Sequence, residues 1–220
     1  MSLRESFQVR THPEVYNPDE DSWFLAENIK DFFLKEHPIG QYTKKCSVCE
    51  VGVGTGYISI YLGKTFPNLQ IFGTDISLYA VSLGSENMKK LIPEMEFNLC
   101  CADLMSCFDS NKFTPEIIYF NPPYVRTPLV EITDNNSPIQ RSWAGGPDGI
   151  TIIKEFIKEL ERFNFKKAFF LSSSLNSNEE FLINGSSTLV ISELSKKKIA
   201  DEHLLCYSVA PNSREIAFRD

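Results

Sequence analysis

The sequence predicts an α/β fold: a doubly wound, seven-stranded, mostly parallel sheet with helices on both faces. Three observations carry this. Short apolar runs alternate with helical patterns, a glycine-rich turn follows the first run, and acids stand at three successive run ends, Glu50, Asp75 and Asp103. Residues 1–22 are polar and irregular, and Asp21 or Ser22 is positioned to cap a helix from Trp23 to Lys35. Phe24, Ile29, Phe32 and Phe33 give that helix one apolar side. A strand over Cys46–Val51 leads through the glycines to a helix over Tyr57–Lys64, stopped near Pro67. Gln70–Ile76 reads as the second strand, Ser77–Leu91 as a helix halted by Pro93, Glu96–Cys101 as the third strand and Ile117–Phe120 as the fourth. A polar loop over 125–147 follows, in which Asn135, Asn136 and Gly145-Gly146-Pro147 read as mobile. A helix over Asp148–Phe163, a strand over Lys167–Ser173 and strands near Thr188–Leu194 and Leu204–Val209 complete the pattern. The run Lys196–Lys198 then reads as a solvated hairpin turn.

With 220 residues the chain is expected to form a single domain, 1–45 being an N-terminal loop and helix and 46–220 the core. A net charge of −7 argues against a chain that grips nucleic acid by itself, because phosphate binding needs a basic face. Nothing near Met1 reads as a signal peptide and no apolar run is long enough for a bilayer, so an intracellular protein is expected, in the cytoplasm, with the nucleus as a second option. Six cysteines without a second CxxC read as reduced thiols, with no disulfide framework and no metal site. His12, His37 and His203 stand outside every motif.

The turn Glu50-Val51-Gly52-Val53-Gly54-Thr55-Gly56 resembles a dinucleotide fingerprint, but it has GxGxG spacing and an acid two residues before its first glycine. A carboxylate there opposes a diphosphate and suits a ligand with an α-amino group and a sulfonium, as in S-adenosylmethionine. Asp75, 19 residues beyond Gly56, is placed for ribose hydroxyls. Asp103, with the backbone of Leu104, suits an adenine amine, although an Asp ending a strand is also an ordinary turn residue.

The fourth strand runs into Asn121-Pro122-Pro123-Tyr124. Neither proline has an N–H for the ladder and both have φ near −65°, so the carbonyls at the strand's end are rigidly held. The Asn121 side-chain oxygen and the Pro122 carbonyl can both accept from a substrate NH2, with Tyr124 packing on its face. That arrangement suits methyl transfer to a planar nitrogen, although Asn-Pro also starts ordinary turns.

These residues resemble a class I methyltransferase of the HemK-like group, and within it the eukaryotic peptide-release-factor glutamine methyltransferases. The resemblance rests on Tyr16-x-Pro18-x-Glu20-Asp21-Ser22, Glu50-x-Gly52-x-Gly54-x-Gly56, Asp75-Ile76, Asp103-Leu104, Asn121-Pro122-Pro123-Tyr124 and Trp143-Ala144-Gly145-Gly146. It implies S-adenosylmethionine as cofactor, held by Ser22, Glu50, Gly52, Gly54, Gly56, Asp75, Asp103, Leu104 and Asn121. Ser22 would close over it from the N-terminal loop. It implies as acceptor the glutamine of a Gly-Gly-Gln loop, held by Asn121, Pro122 and Tyr124. Bacterial relatives carry an N-terminal helical domain that grips the release factor, and only about 45 residues precede Cys46 here. The resemblance implies instead a small zinc-binding activator subunit along the edge strand near Phe97–Cys101. That strand has no central charge, proline or glycine to protect it. Methylation of an adenine amine or of lysine are the rival activities. A dehydrogenase and a non-catalytic scaffold are the rivals from other classes.

Overall fold

The computed structural model describes residues 7–36, 45–128, 139, 142–176 and 186–212. The chain divides into two compact units, Met1–Cys107 and Phe108–Asp220. The predicted fold class is observed: seven strands make a mixed, mostly parallel sheet, with order β3-β2-β1 in the first unit and β4-β5-β7-β6 in the second. Among the described residues no helix is long and apolar enough to cross a membrane.

In the first unit α1 (Glu20–Glu36) precedes β1 (Cys46–Val51), α2 (Tyr57–Thr65), β2 (Leu69–Asp75), α3 (Leu78–Leu91) and β3 (Glu96–Cys101). The strands pair in parallel, Cys46 with Leu69 and Gln70 with Glu96 at the start of each ladder. Where β2 passes β3 the fit is close: a Cβ on Gly73 would lie 2.8 Å from the end of the Leu99 side chain, which would have to turn aside. Every residue of α2 from Tyr57 to Gly63 is buried, as expected for a helix apolar on all sides. The first helix begins earlier than its sequence suggests. Asp19 precedes it and accepts from the Glu20 N–H, so Asp21 and Ser22 lie within the first turn rather than capping it. Its buried stripe is Ser22, Leu25, Ala26, Ile29 and Phe33, an i, i+3, i+4, i+7, i+11 set; Phe24 and Phe32 flank it half-buried. Phe33 packs on Phe66 with ring centroids 4.9 Å apart.

In the second unit β4 (Ile117–Phe120) and β5 (Lys167–Ser173) are parallel. The strands β6 (Leu189–Ile199) and β7 (Glu202–Pro211) form a long antiparallel hairpin. The helix between β4 and β5, here α4, runs Thr151–Leu160, shorter at both ends than predicted. Asp148 stops it from starting earlier by accepting from the Ile150 N–H and the Thr151 hydroxyl. The lysine run is not in the turn: Lys196, Lys197 and Lys198 pair with Leu205, Leu204 and His203 inside β6, and the chain reverses at Ala200 and Asp201. The strand is longer because a bulge between Glu193 and Ser195 absorbs the register break at the apparent end of the apolar pattern.

The core of the second unit is aromatic. Fully buried Phe156 of α4 meets Phe120 edge-on at 5.1 Å and Phe170 at 6.3 Å, and Phe170 stacks on Tyr207 at 5.1 Å. Truncating Phe156→Ala empties the centre of this cluster and should destabilise the protein by about 3–5 kcal/mol, read as a lowered urea midpoint.

Candidate active site

At the carboxyl ends of β1 and β2 the backbone is shaped by glycine. Gly52, Gly54 and Gly56 have φ of 68°, 52° and 77°, a left-handed region that a side chain adopts only with strain. The turn is tied down on both flanks, by Val53 N–H to Thr74 O at 2.9 Å and Gly56 N–H to Val53 O at 2.7 Å. The Asp75 carboxylate closes the arrangement: Oδ2 accepts from the Gly54 N–H at 2.9 Å and Oδ1 from the Ser77 N–H at 2.8 Å. A Cβ on Gly54 would find nothing nearer than the Gly52 carbonyl at 3.9 Å, so the turn has an open face.

Two acids of this unit are shifted by burial, Glu50 fully buried and Asp75 half-buried. Glu50 is 2% exposed, and burial pushes it up to about 8, against hydrogen bonds from the Ser59 hydroxyl and N–H and with a further push from Asp75. Burial likewise raises Asp75, although the N–H groups of Ser77 and Gly54 oppose it. An N–H from Ala102 to Asp75 O at 2.9 Å ties the end of β3 to the end of β2. Asp103 is exposed just beyond, followed by Leu104, whose φ of 45° is unusual for a branched residue. Glu50, the three glycines, Asp75, Asp103 and Leu104 therefore gather at three adjacent strand ends. Ser22 is elsewhere in character: it is buried in α1, and its hydroxyl donates to Asp21 Oδ1 at 3.2 Å. It is a helix residue, not part of a loop.

The second unit contains the proline corner. Pro122 is buried, and Asn121, Pro123 and Tyr124 are half-buried. Beyond the prolines the backbone finds a new partner. Val125 bridges Ala144 in parallel, with Val125 N–H to Trp143 O at 3.0 Å, Gly145 N–H to Val125 O at 2.7 Å and Thr127 N–H to Gly146 O at 2.8 Å. Gly145 and Gly146 are thus pinned, contrary to the mobility expected of them; Asn135 and Asn136 lie outside the described residues. A Cβ on Gly145 would strike backbone atoms of Gly149, Pro123 and Tyr124 at 2.8–2.9 Å. Asn176, just past β5, was not legible in the sequence. Its buried Nδ2 donates to Tyr124 O at 3.0 Å and Gly149 O at 3.1 Å, clamping the corner to the turn before α4. Partial burial works against the charge of Asp148 in that turn, but its 2.6 Å contact with Lys154 and its hydrogen bonds from Ile150 and Thr151 hold it below the usual carboxylate range.

The α/β fold is that of the class I methyltransferases, and the comparisons show it. Residues 7–134 match the methyltransferase small domain family, and the chain belongs to it. It is 36% identical over 178 residues, 80% of this chain and 81% of the relative, to a putative protein N5-glutamine methyltransferase of Methanocaldococcus jannaschii. It is 31% identical over 169 residues to the release factor glutamine methyltransferase of Bacillus cereus, covering 74% of this chain but only 56% of that protein. Against the eRF1 methyltransferase catalytic subunit mtq2 of Schizosaccharomyces pombe it is 26% identical over 168 residues, 72% of this chain and 71% of that one. The N-terminal domain of human METTL16 in complex with SAH shares the fold, at TM-score 0.59 and 14% identity over 94% of this chain and 78% of that one.

Two outcomes follow from the site. Because Glu50 holds its proton up to about 8 when folded but loses it near 4.5 when unfolded, its contribution to stability is full below 4.5 and lost as pH rises to 8. Glu50→Gln, which cannot titrate, should flatten the fall in melting temperature over that window. Gly145→Ala should lower the melting temperature by several degrees, about 2–3 kcal/mol, since only backbone can yield to the new methyl.

Proposed function

We propose that this chain is one methyltransferase domain that uses S-adenosylmethionine to methylate N5 of the glutamine in the Gly-Gly-Gln loop of a peptide-release factor. The observation that carries this is the Asn121–Tyr124 corner, whose carbonyls are fixed by two prolines, the 143–146 backbone and Asn176. The names of the relatives support the acceptor, and the mtq2 subunit among them supports a factor of the eukaryotic and archaeal type.

The residues present fit the cofactor. The open turn at Gly54 admits a ligand against its backbone, and Glu50 and Asp75, desolvated acids, match an ammonium and paired hydroxyls. Glu50 would take the amino end with Gly52, Gly54 and Gly56, Asp75 the ribose, and Asp103 with Leu104 the adenine; Ser22 and Asn121 complete the proposed set. When bound, S-adenosylmethionine supplies an electrophilic methyl on sulfur. The protein's part is positional. Asn121 Oδ1 and the Pro122 carbonyl receive the two N–H groups of the glutamine amide, turning its nitrogen lone pair outward, and Tyr124 covers the amide face. The amide proton can leave after attack, so no side chain with a base's pKa is needed, and acceleration comes from orientation.

The partner we propose is a small zinc-binding activator subunit that pairs with β3. The two terminal strands of the sheet order differ in protection. On β6, three lysines and a bulge guard the edge; on β3, Phe97, Leu99 and Cys100 are half-exposed, and Cys101 is exposed. Such an edge suits a partner that adds a strand.

The test is methyl transfer from labelled S-adenosylmethionine by the chain co-expressed with that subunit. We expect label on the release factor, none on the same factor with its loop Gln changed to Arg, and none on adenine-containing DNA. Asn121→Ala should cut the rate by about a hundredfold or more. Label on DNA, or on both factors equally, would overturn the acceptor assigned here.

A further inference from the structure

The N-terminal strap, residues 7–16, lies on the first unit and is held unevenly. Its ends are apolar: Phe7 stacks on Tyr57 at 5.2 Å, and Val15 packs with Ala80 and Leu83 of α3. Between them Arg10 is exposed, and its ion pair with Glu86 at 2.6 Å lies on the surface, where such pairs contribute little. The strap's middle is held by the ring of His12, which stacks on Tyr79 of α3 at 5.7 Å, and by one buried amide. Asn87 of α3, 2% exposed, accepts from the Arg10 N–H with Oδ1 at 2.9 Å and donates with Nδ2 to the Arg10 carbonyl at 3.0 Å. Its second Nδ2 hydrogen goes to the Thr55 carbonyl at 2.9 Å, inside the glycine turn. Two carbonyls and one N–H leave a single orientation for this amide, and no other side chain of its size offers two donors and an acceptor. The helix comes close enough because Gly84, on the same face of α3 one turn earlier, has no side chain: a Cβ there would lie 3.2 Å from the Gly54 carbonyl.

We propose that Asn87 is a positioning residue for the cofactor turn: its amide ties the strap to Thr55, so that the Gly52–Gly56 turn keeps its binding shape only while the strap is seated. This rests on the reading of that turn as the cofactor site. Asp75 holds the turn from one side through Gly54, and Asn87 with the strap holds it from the other through Thr55. Loss of the strap's contact frees half of the Asn87 amide and loosens its grip on Thr55.

The proline substitution Arg10→Pro removes the ion pair and the N–H given to Asn87 and fixes φ there, whereas Arg10→Ala removes only the ion pair, so the difference between them reads the loss of the strap's backbone tie. Asn87→Asp, which loses both donors and sets an oxygen against two carbonyls, is the stronger variant; Arg10→Pro carries the test if it does not fold. Two quantities are read on the full chain: amide exchange without ligand, and the Kd for S-adenosylmethionine by calorimetry. In Arg10→Pro the amides of Gly54 and Gly56 should exchange faster together with those of the strap. The Kd should rise about fivefold to tenfold over Arg10→Ala, the scale of one hydrogen bond. Faster exchange in the strap alone, with the turn's amides and the Kd as in Arg10→Ala, would overturn the proposal. Failure of the wild-type chain to bind the cofactor would remove the cofactor reading, and the exchange pattern would still decide whether strap and turn are tied.

Discussion

Two adjacent prolines at the end of β4 impose a constraint that the whole second unit answers. They end the ladder, yet the chain beyond them still carries N–H and carbonyl groups that must be satisfied. The answer is local and parallel: 125–127 pairs with 143–146, and Asn176 reaches over from beyond β5 to the Tyr124 carbonyl. The close passage of Gly145 against Pro123 and Tyr124 is possible because it has no side chain. What reads in sequence as two separate signatures, Asn121–Tyr124 and Trp143–Gly146, is physically one object. The second exists to satisfy the backbone of the first, and a corner fixed in this way can present acceptors without reorganising.

The first unit resolves a different conflict, that of burying acid. Glu50 and Asp75 are desolvated at neighbouring strand ends and repel each other. Asp75 is compensated by two backbone N–H groups, one from the glycine turn itself, so this carboxylate helps to shape that turn. Glu50 accepts from both the hydroxyl and the N–H of Ser59, yet full burial still pushes it up to about 8.

The sheet's two terminal strands show how one chain can treat equivalent liabilities differently. Lysines at consecutive positions of β6 and the bulge at Glu193–Ser195 discourage strand addition. Their placement inside the strand, not the turn, was invisible to a pattern reading because a bulge breaks the period-two alternation that marks strand extent. On β3 the alternation Phe97, Leu99, Cys101 is unbroken and stays partly open to water.

Much of this protein was determined by local sequence alone. Element order, the glycine turn, the three acids and the proline corner follow from periodicity, φ preferences and missing donors, all properties of residues and their immediate neighbours. The sequence also determined family membership, since its signatures fall in order within the matched residues 7–134 and just beyond. Only the tertiary structure decided where Ser22 sits, that Gly145 and Gly146 are pinned, and what Asn87 and Asn176 do. Each of those asparagines is an unremarkable letter. Asn87 bonds a backbone 77 residues away and another 32 away, and Asn176 one 52 away. A side chain that satisfies a distant backbone leaves no periodic trace, because its partner is set by packing and not by spacing.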